Sequence, residues 1–258
     1  MARNKEFWKN QAKEHKADIE AVNFDPLQEE LELHFLRQFI GENEAVLDVG
    51  CGNGRTLMDF AVAKKNSMFY GIDYTDEMIA IANERKISQK IDNVNFQTGD
   101  ASSDNLGNMF KIEFDKIISK RLLINLKGEN KYKAVKNIHS MLKKKGTYIM
   151  VECFVEPLAS INTIRKTLGL EEIKVKHFNE YLNYGFLDEI KGLFKIAKQI
   201  DFESLYYFTS RIYNACLSKG EKLDYHAPVN EMAVQLIKSG VNGMPGYSPE
   251  IIFLLEKV

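Results

Sequence analysis

Asp48 stands two positions ahead of a run of alternating glycines, Gly50-Cys51-Gly52-Asn53-Gly54, which follows the apolar stretch Val46-Leu47 and leads into Arg55-Thr56. Glycines at this spacing let the backbone take left-handed conformations and approach a ligand closely, so a strand-to-helix turn of this kind opens a slot for a nucleotide-like molecule. The spacing weakens two phosphate-binding readings. A dinucleotide loop asks for G-x-G-x-x-G, which this run does not supply. A P-loop asks for Lys before the Thr and a glycine where Val49 stands, and Arg55 and Val49 break both requirements. What remains is a carboxylate, Asp48, placed to face the amine of an amino-acid-like ligand across the turn.

Two more acids follow in order. Phe69-Tyr70-Gly71-Ile72-Asp73 ends a second apolar run just before Tyr74, and Gly99-Asp100-Ala101 follows a third. On these three signals the chain resembles the class I S-adenosylmethionine-dependent methyltransferases over roughly residues 44 to 152. The resemblance implies S-adenosylmethionine as cofactor, held by Asp48, Gly50, Cys51, Gly52, Gly54, Asp73, Tyr74, Asp100 and Ala101. It further implies that Asp73 meets the ribose hydroxyls and that Asp100 lies near the adenine amine. The plain structural alternative is a glycine turn that only permits a tight bend.

The acceptor side offers weaker signals. Ser119-Lys120-Arg121 falls at the end of the fourth strand, where open parallel sheets bind ligands, and a Lys-Arg pair suits a carboxylate or phosphate. Tyr207 and Arg211, in Tyr206-Tyr207-Phe208-Thr209-Ser210-Arg211, could floor a sugar site or simply fill a core strand. His15 and His177 are general-base candidates near neutral pH, with Glu152, at the end of the fifth strand, as the alternative. The sulfonium makes the methyl electrophilic, so alignment and water exclusion can suffice without a strong base. No metal-ligand spacing occurs, and a metal-free site is expected.

The opening Phe7-Trp8-Lys9 with Ala21-Val22-Asn23-Phe24-Asp25 resembles bacterial methyltransferases of surface-polysaccharide pathways. That likeness points to methyl transfer onto an O or N atom of a small molecule, a sugar or surface-glycan precursor. The competing class is a catalytically silent subunit that binds S-adenosylmethionine to regulate or scaffold.

Composition bounds these readings. The 258 residues, 45% apolar, suffice for one α/β domain with a sizeable core. Net charge is −1 and the lysines are scattered, which argues against nucleic acid as a substrate. Three cysteines without metal spacing fit reduced thiols, and the absence of an apolar leader or long apolar run predicts a cytoplasmic protein with no membrane insertion. Nothing in the sequence fixes the oligomeric state.

The elements that must position these residues read as a Rossmann-like α/β fold, a seven-stranded, mostly parallel sheet with helices on both faces. Residues 1–43 form an N-terminal helical lid, 44–152 the cofactor-binding core, 153–198 a helical insertion after strand five, and 199–258 the last strands and acceptor-side loops. Leu27, Leu31, Phe35 and Phe39 mark a helix over 27–40. Strands are expected at 45–50, 68–73, 94–97, 114–119 and 147–151, and helices at 54–65, 76–87, 130–143, 158–169 and 187–198. Alternation over 200–208 predicts strand six, and the end from Pro249 predicts strand seven.

Overall fold

The computed structural model describes residues 2–15, 18, 25–218, 224–241 and 243–258. Residues 21–24 of the opening likeness lie outside the described residues. Seven strands form one sheet: β1 (Ala45–Val49), β2 (Met68–Asp73), β3 (Val94–Thr98), β4 (Phe114–Lys120), β5 (Leu142–Cys153), β6 (Phe194–Ile200) and β7 (Glu250–Lys257), in the order β3-β2-β1-β4-β5-β7-β6. The first five pair in parallel, and β7 runs antiparallel between β5 and β6. This is the expected seven-stranded, mostly parallel fold.

Successive strand residues face opposite sides of a sheet, and both sides are apolar here, as a covered parallel sheet requires. Val46, Ile118, Ile149, Val151 and Ile252 pack on one face with Leu31, Leu57 and Phe60. Leu47, Val49, Ile117, Tyr148, Met150 and Phe253 pack on the other with Val135 and Ile138. The first face is covered by α2 (Pro26–Arg37), α3 (Arg55–Ala63), α4 (Asp76–Ser88) and, late in the chain, α10 (Pro228–Lys238); the second is covered by α5 (Glu129–Met141) and α7 (Gly185–Ile190). Helix α1 (Ala2–His15) lies on α4, with Ala12 and Trp8 against Met78 and Ile81 and Lys9 bonded to Glu77 at 2.8 Å. Helix α6 (Val155–Thr167) opens the segment between β5 and α7.

Two sequence expectations after residue 187 are corrected. The expected helix over 187–198 is the short α7 followed by β6, and the expected strand over 200–208 is helical: α8 (Ser204–Phe208) continues through a π-helical turn, Thr209–Asn214, into α9 (Ala215–Leu217). Strand β6 is a sheet edge with only Phe194 fully buried, so its lysines face solvent on both sides and blur the period-two pattern. Tyr206 and Tyr207, adjacent in sequence, are both buried, which a one-sided strand does not allow. Strand β5 also starts earlier than 147, because Leu142 pairs with Phe114.

Candidate active site

Parallel pairing sets Asp48 beside Gly71 and Ile118, and Asp73 beside Thr98, so the carboxyl ends of β1 to β4 open along one edge of the sheet. A cavity of about 670 Å³ opens there, within the usual size of small-molecule sites.

The glycine turn forms its floor. Gly50, Gly52 and Gly54 have φ of +85°, +53° and +77°, the left-handed region in which a side chain is strained. The Gly50 and Cys51 N–H groups both donate to the Ile72 carbonyl, at 2.8 and 2.9 Å, which bends the chain over the end of β2. A Cβ on Gly50 would stand 3.1 Å from Leu122 Cδ1. Gly54, grouped with the cofactor residues by sequence, caps α3 away from the cavity: a Cβ there would meet Phe96 Cζ at 2.7 Å. The other eight residues of that set, Asp48, Gly50, Cys51, Gly52, Asp73, Tyr74, Asp100 and Ala101, all line the cavity.

Asp73 is engaged on both oxygens. Oδ2 accepts the Gly52 N–H at 3.1 Å and Oδ1 the Thr75 N–H at 2.8 Å. The sequence suggests that Thr75 or Asp76 would cap α4 and leave Asp73 free. Instead Thr75 is the cap residue without a side-chain bond, and Asp73 ties the glycine turn to the start of α4. Each carboxylate oxygen offers about two acceptor positions, so room for a diol remains. Burial is the main influence on Asp73 and raises its pKa, against the pull of those N–H donors. Asp100 Oδ1 accepts the N–H and the hydroxyl of Ser102, each at 2.8 Å.

Asp48 carries the test of fit. Its carboxylate is 2% exposed and lines the cavity, and its Oδ1 has no hydrogen-bond partner among the described residues. Burial pushes its pKa up to about 7, with Lys120 opposing and Asp73 adding to the rise. A buried acceptor atom at the foot of a glycine turn, with a diol-sized carboxylate beside it, fits the ammonium and ribose of an S-adenosyl amino acid.

The opposite half of the cavity is lined by α2, the ends of β4 and β5, and the start of β7. Arg121, at φ +51°, holds its guanidinium between two buried carboxylates, with Nη1 2.8 Å from Glu250 Oε1 and a second bond to Glu32. Lys120 Nζ donates to Glu32 Oε2 at 2.8 Å. The sequence reading offers this pair to an anionic acceptor, but both line the cavity with their charge already met. Arg211 is similar: it donates to Asp25 at 2.8 Å, and the rings of Tyr207 and Tyr225 cover its faces at 4.9 Å each. The π-helical turn, a distortion frequent at functional sites, carries Arg211 into this box.

None of the three base candidates lines the cavity. His15 is half-buried on α1, and His177 is exposed beside Phe178. Glu152 is fully buried and accepts the Leu123 N–H at 2.7 Å and the Ile124 N–H at 3.3 Å; burial raises its pKa to about 8. Its carboxylate anchors the loop after β4. Sequence reasoning also missed Asp25, Gln28, Glu29 and Glu250, which do line the cavity. Glu29 and Glu32 are 2% and 0% exposed on α2, a helix whose sequence is read only for its apolar stripe.

Aromatic groups from two segments meet at the cavity. Trp8 of α1 donates its Nε1–H to Asn125 Oδ1 at 3.3 Å, and Phe7 stacks on Phe178 with ring centroids 4.2 Å apart. Trp8 and Phe178 both line the cavity.

A family model described as a methyltransferase domain matches residues 40–189, more than half of the chain. The chain belongs to this methyltransferase family. The chain is 25% identical over 167 residues to a carboxy-S-adenosyl-L-methionine synthase of Nautilia profundicola, a match covering 59% of this chain and 66% of that protein. It is 29% identical over 126 residues to the protein-lysine N-methyltransferase EFM4 of Saccharomyces cerevisiae, covering 44% and 53%. The matches thus span from about half to just under two thirds of these relatives' lengths. Among solved structures, a magnesium protoporphyrin IX methyltransferase of Synechocystis with bound S-adenosylhomocysteine aligns with TM-score 0.59 at 14% identity, covering 98% of this chain and 94% of that one. That likeness establishes the fold. Among the described residues no helix is long and apolar enough to cross a membrane.

Proposed function

We propose that the protein transfers a methyl group from S-adenosylmethionine to an oxygen or nitrogen atom of a small molecule, with a sugar or surface-glycan precursor as the acceptor class. The observation that carries the cofactor half is the unpartnered Asp48 Oδ1 beneath a glycine turn tied to Asp73. The cofactor supplies an electrophilic methyl, and this chain's residues hold and orient it. Asp48 receives the ammonium, Asp73 the ribose hydroxyls, and Asp100 and Ala101 flank the base. Trp8 and Phe178 close over the cavity and keep water from the reacting centre. Lys120, Arg121, Tyr207 and Arg211 shape the acceptor wall through buried pairs and stacked rings.

Support for the acceptor class comes from the opening likeness and from the mixed aromatic and polar wall that Tyr207, Tyr225 and Gln28 present to the cavity. The test is formation of S-adenosylhomocysteine when the protein and S-adenosylmethionine are incubated with glycosides, sugar nucleotides and small-metabolite pools. Turnover confined to sugar-containing acceptors supports the reading. Tight binding of S-adenosylhomocysteine with no turnover in any pool favours the silent, cofactor-binding subunit.

A further inference from the structure

A second cluster of ionisable groups sits in the acceptor half, and the transfer described above gives its carboxylates no chemical part. Glu250 is the first residue of β7. That strand runs antiparallel, so its amino end reaches the edge where β1 to β5 present their carboxyl ends, and Glu250 pairs with Cys153 there. Its carboxylate is 1% exposed yet lines the cavity. Oε1 accepts from Arg121 at 2.8 Å, and Oε2 from Arg121 at 2.9 Å and from Gln28 Nε2 at 3.1 Å. The same Gln28 nitrogen reaches Glu203 Oε1 at 3.0 Å, and Ser248 Oγ also donates to that oxygen.

Charge counting makes this cluster unusual. Two cations, Lys120 and Arg121, pair with the buried carboxylates Glu32 and Glu250, and Gln28 links a third buried carboxylate, Glu203, to them. Glu32 is held down at about 2 by Arg121 and Lys120, against the opposing effect of burial. Burial and the Glu250 charge drive Glu203 the other way, well above the usual carboxylate range. Glu250 lies between them, raised by burial and by Glu32 and restrained by Arg121. Glu152, Cys153 and Tyr181 are the further titratable groups coupled to it. Low-dielectric clusters of this kind titrate as a unit.

The lining of this half also speaks to the ligand. Asp25, Glu29 and Glu250 reach the cavity, and Arg211, Arg55 and Arg121 are already paired with them. Glu29, 2% exposed, keeps Oε2 without a hydrogen-bond partner among the described residues. An acceptor oxygen so placed asks for a donor. A fully ionised group without a hydrogen to donate leaves that oxygen unsatisfied, and a donor such as a hydroxyl supplies the missing hydrogen bond.

Resting on the methyl-transfer reading, we propose that Glu250 is the catalytic base and that the reacting part of the acceptor is a neutral, hydroxylated molecule whose oxygen lies against the Glu250 carboxylate. The acceptor oxygen forms a bond to the methyl carbon as the sulfur–carbon bond breaks, and that bonding pair stays on sulfur. The hydroxyl proton passes to Glu250. Arg121 and Gln28 are positioning residues that fix the carboxylate.

The test uses the full chain, S-adenosylmethionine, and a panel of methyl glycosides, sugar nucleotides and primary amines, comparing wild type with Glu250→Gln and Glu250→Asp. Affinity for S-adenosylhomocysteine is measured calorimetrically for each protein, and glutamate carboxyl resonances are followed by ¹³C NMR from mildly acidic to mildly alkaline pH. The proposal expects oxygen-methylated product and a fall in kcat of about 100-fold or more in Glu250→Gln, the usual size of a lost general base. S-adenosylhomocysteine affinity stays unchanged, Glu250→Asp folds and retains intermediate activity, and a carboxyl titrating near neutrality disappears in Glu250→Gln. The Gln variant matching wild type, product found only on amines, or loss of S-adenosylhomocysteine binding in step with rate overturns it. A wild type that binds S-adenosylmethionine but methylates nothing in the panel overturns the methyl-transfer reading itself, and this inference with it.

Discussion

Asp25 and Arg211, 186 positions apart in the chain, meet at 2.8 Å in the interior, where Tyr206 also donates its hydroxyl to Asp25 at 2.7 Å. The carboxylate caps α2 through the Gln28 N–H at 3.1 Å, so one ion pair joins the entry to the core with the late helical passage. Breaking a buried pair by removing one partner strands the other charge. Arg211→Met should therefore lower stability by about 3–5 kcal/mol, and Asp25→Asn in the same chain should recover part of that loss. Denaturant unfolding of both single variants and the double variant measures the coupling. Additive losses would show that the two residues act independently.

Gly54 has φ +77° and no room for a Cβ between Phe96 and Ala82. Gly54→Ala should cost about 1–3 kcal/mol, the usual range for forced backbone conformations. Trimming the obstacle in Gly54→Ala/Phe96→Leu should leave a smaller loss than the sum of the two single changes. Thermal denaturation of the four proteins checks it, and simple additivity would mean that the φ angle alone sets the cost.

Trp8, the only tryptophan of the chain, reaches the cavity and bonds Asn125. Its fluorescence should change in intensity or wavelength when S-adenosylhomocysteine fills the cavity. Phe178→Ala, which removes the surface on which Phe7 stacks, should speed ligand release in stopped-flow chase experiments. Equal release rates in variant and wild type would show that this aromatic contact does not retain ligand.

Stability should fall as pH rises across the neutral range. Asp48 and Glu250 are raised to about 7 and Glu152 to about 8, mainly by burial, so the folded state holds protons that the unfolded chain has released. For a carboxyl raised on folding, stability is greatest below the unfolded pKa and declines until the folded pKa is passed. Each such group contributes a slope of up to about 1.4 kcal/mol per pH unit. Glu152→Gln should flatten the decline by about one group's share. Melting curves from mildly acidic to mildly alkaline pH test this, and an unchanged slope in the variant would contradict the assignment of a protonated Glu152.

The parts of the fold that were legible in the sequence are those written in local periodicity. Strands β1 to β4 and β7, helices α2 to α6, and the glycine turn all follow from apolar spacing and glycine placement within a few residues, whereas α8 to α10 do not. Strand β6 was not legible because an edge strand buries almost nothing, and FKIAKQI offers lysines where a core strand offers valines. The acceptor half was hidden for a different reason. Asp25, Glu29, Glu32 and Glu250 are functional candidates only through partners far away in the chain, and a single sequence carries no record of which carboxylate meets which guanidinium. Lys120 and Arg121 show the same gap: their types suggested an anion site, and their neighbours Glu32 and Glu250 had already claimed the charge.

The most direct test of the central claim is calorimetric titration of S-adenosylhomocysteine and S-adenosylmethionine into wild type, Asp48→Asn and Asp73→Ala, with NADH as the control ligand. The account predicts that wild type binds both S-adenosyl compounds and not NADH. It also predicts that binding near pH 7 releases protons as the ligand ammonium pulls the Asp48 pKa down from about 7, and that both variants bind far more weakly. A well-folded wild type that binds neither compound, or variants that bind as tightly as wild type, would mean that the glycine turn and its two carboxylates are architecture alone.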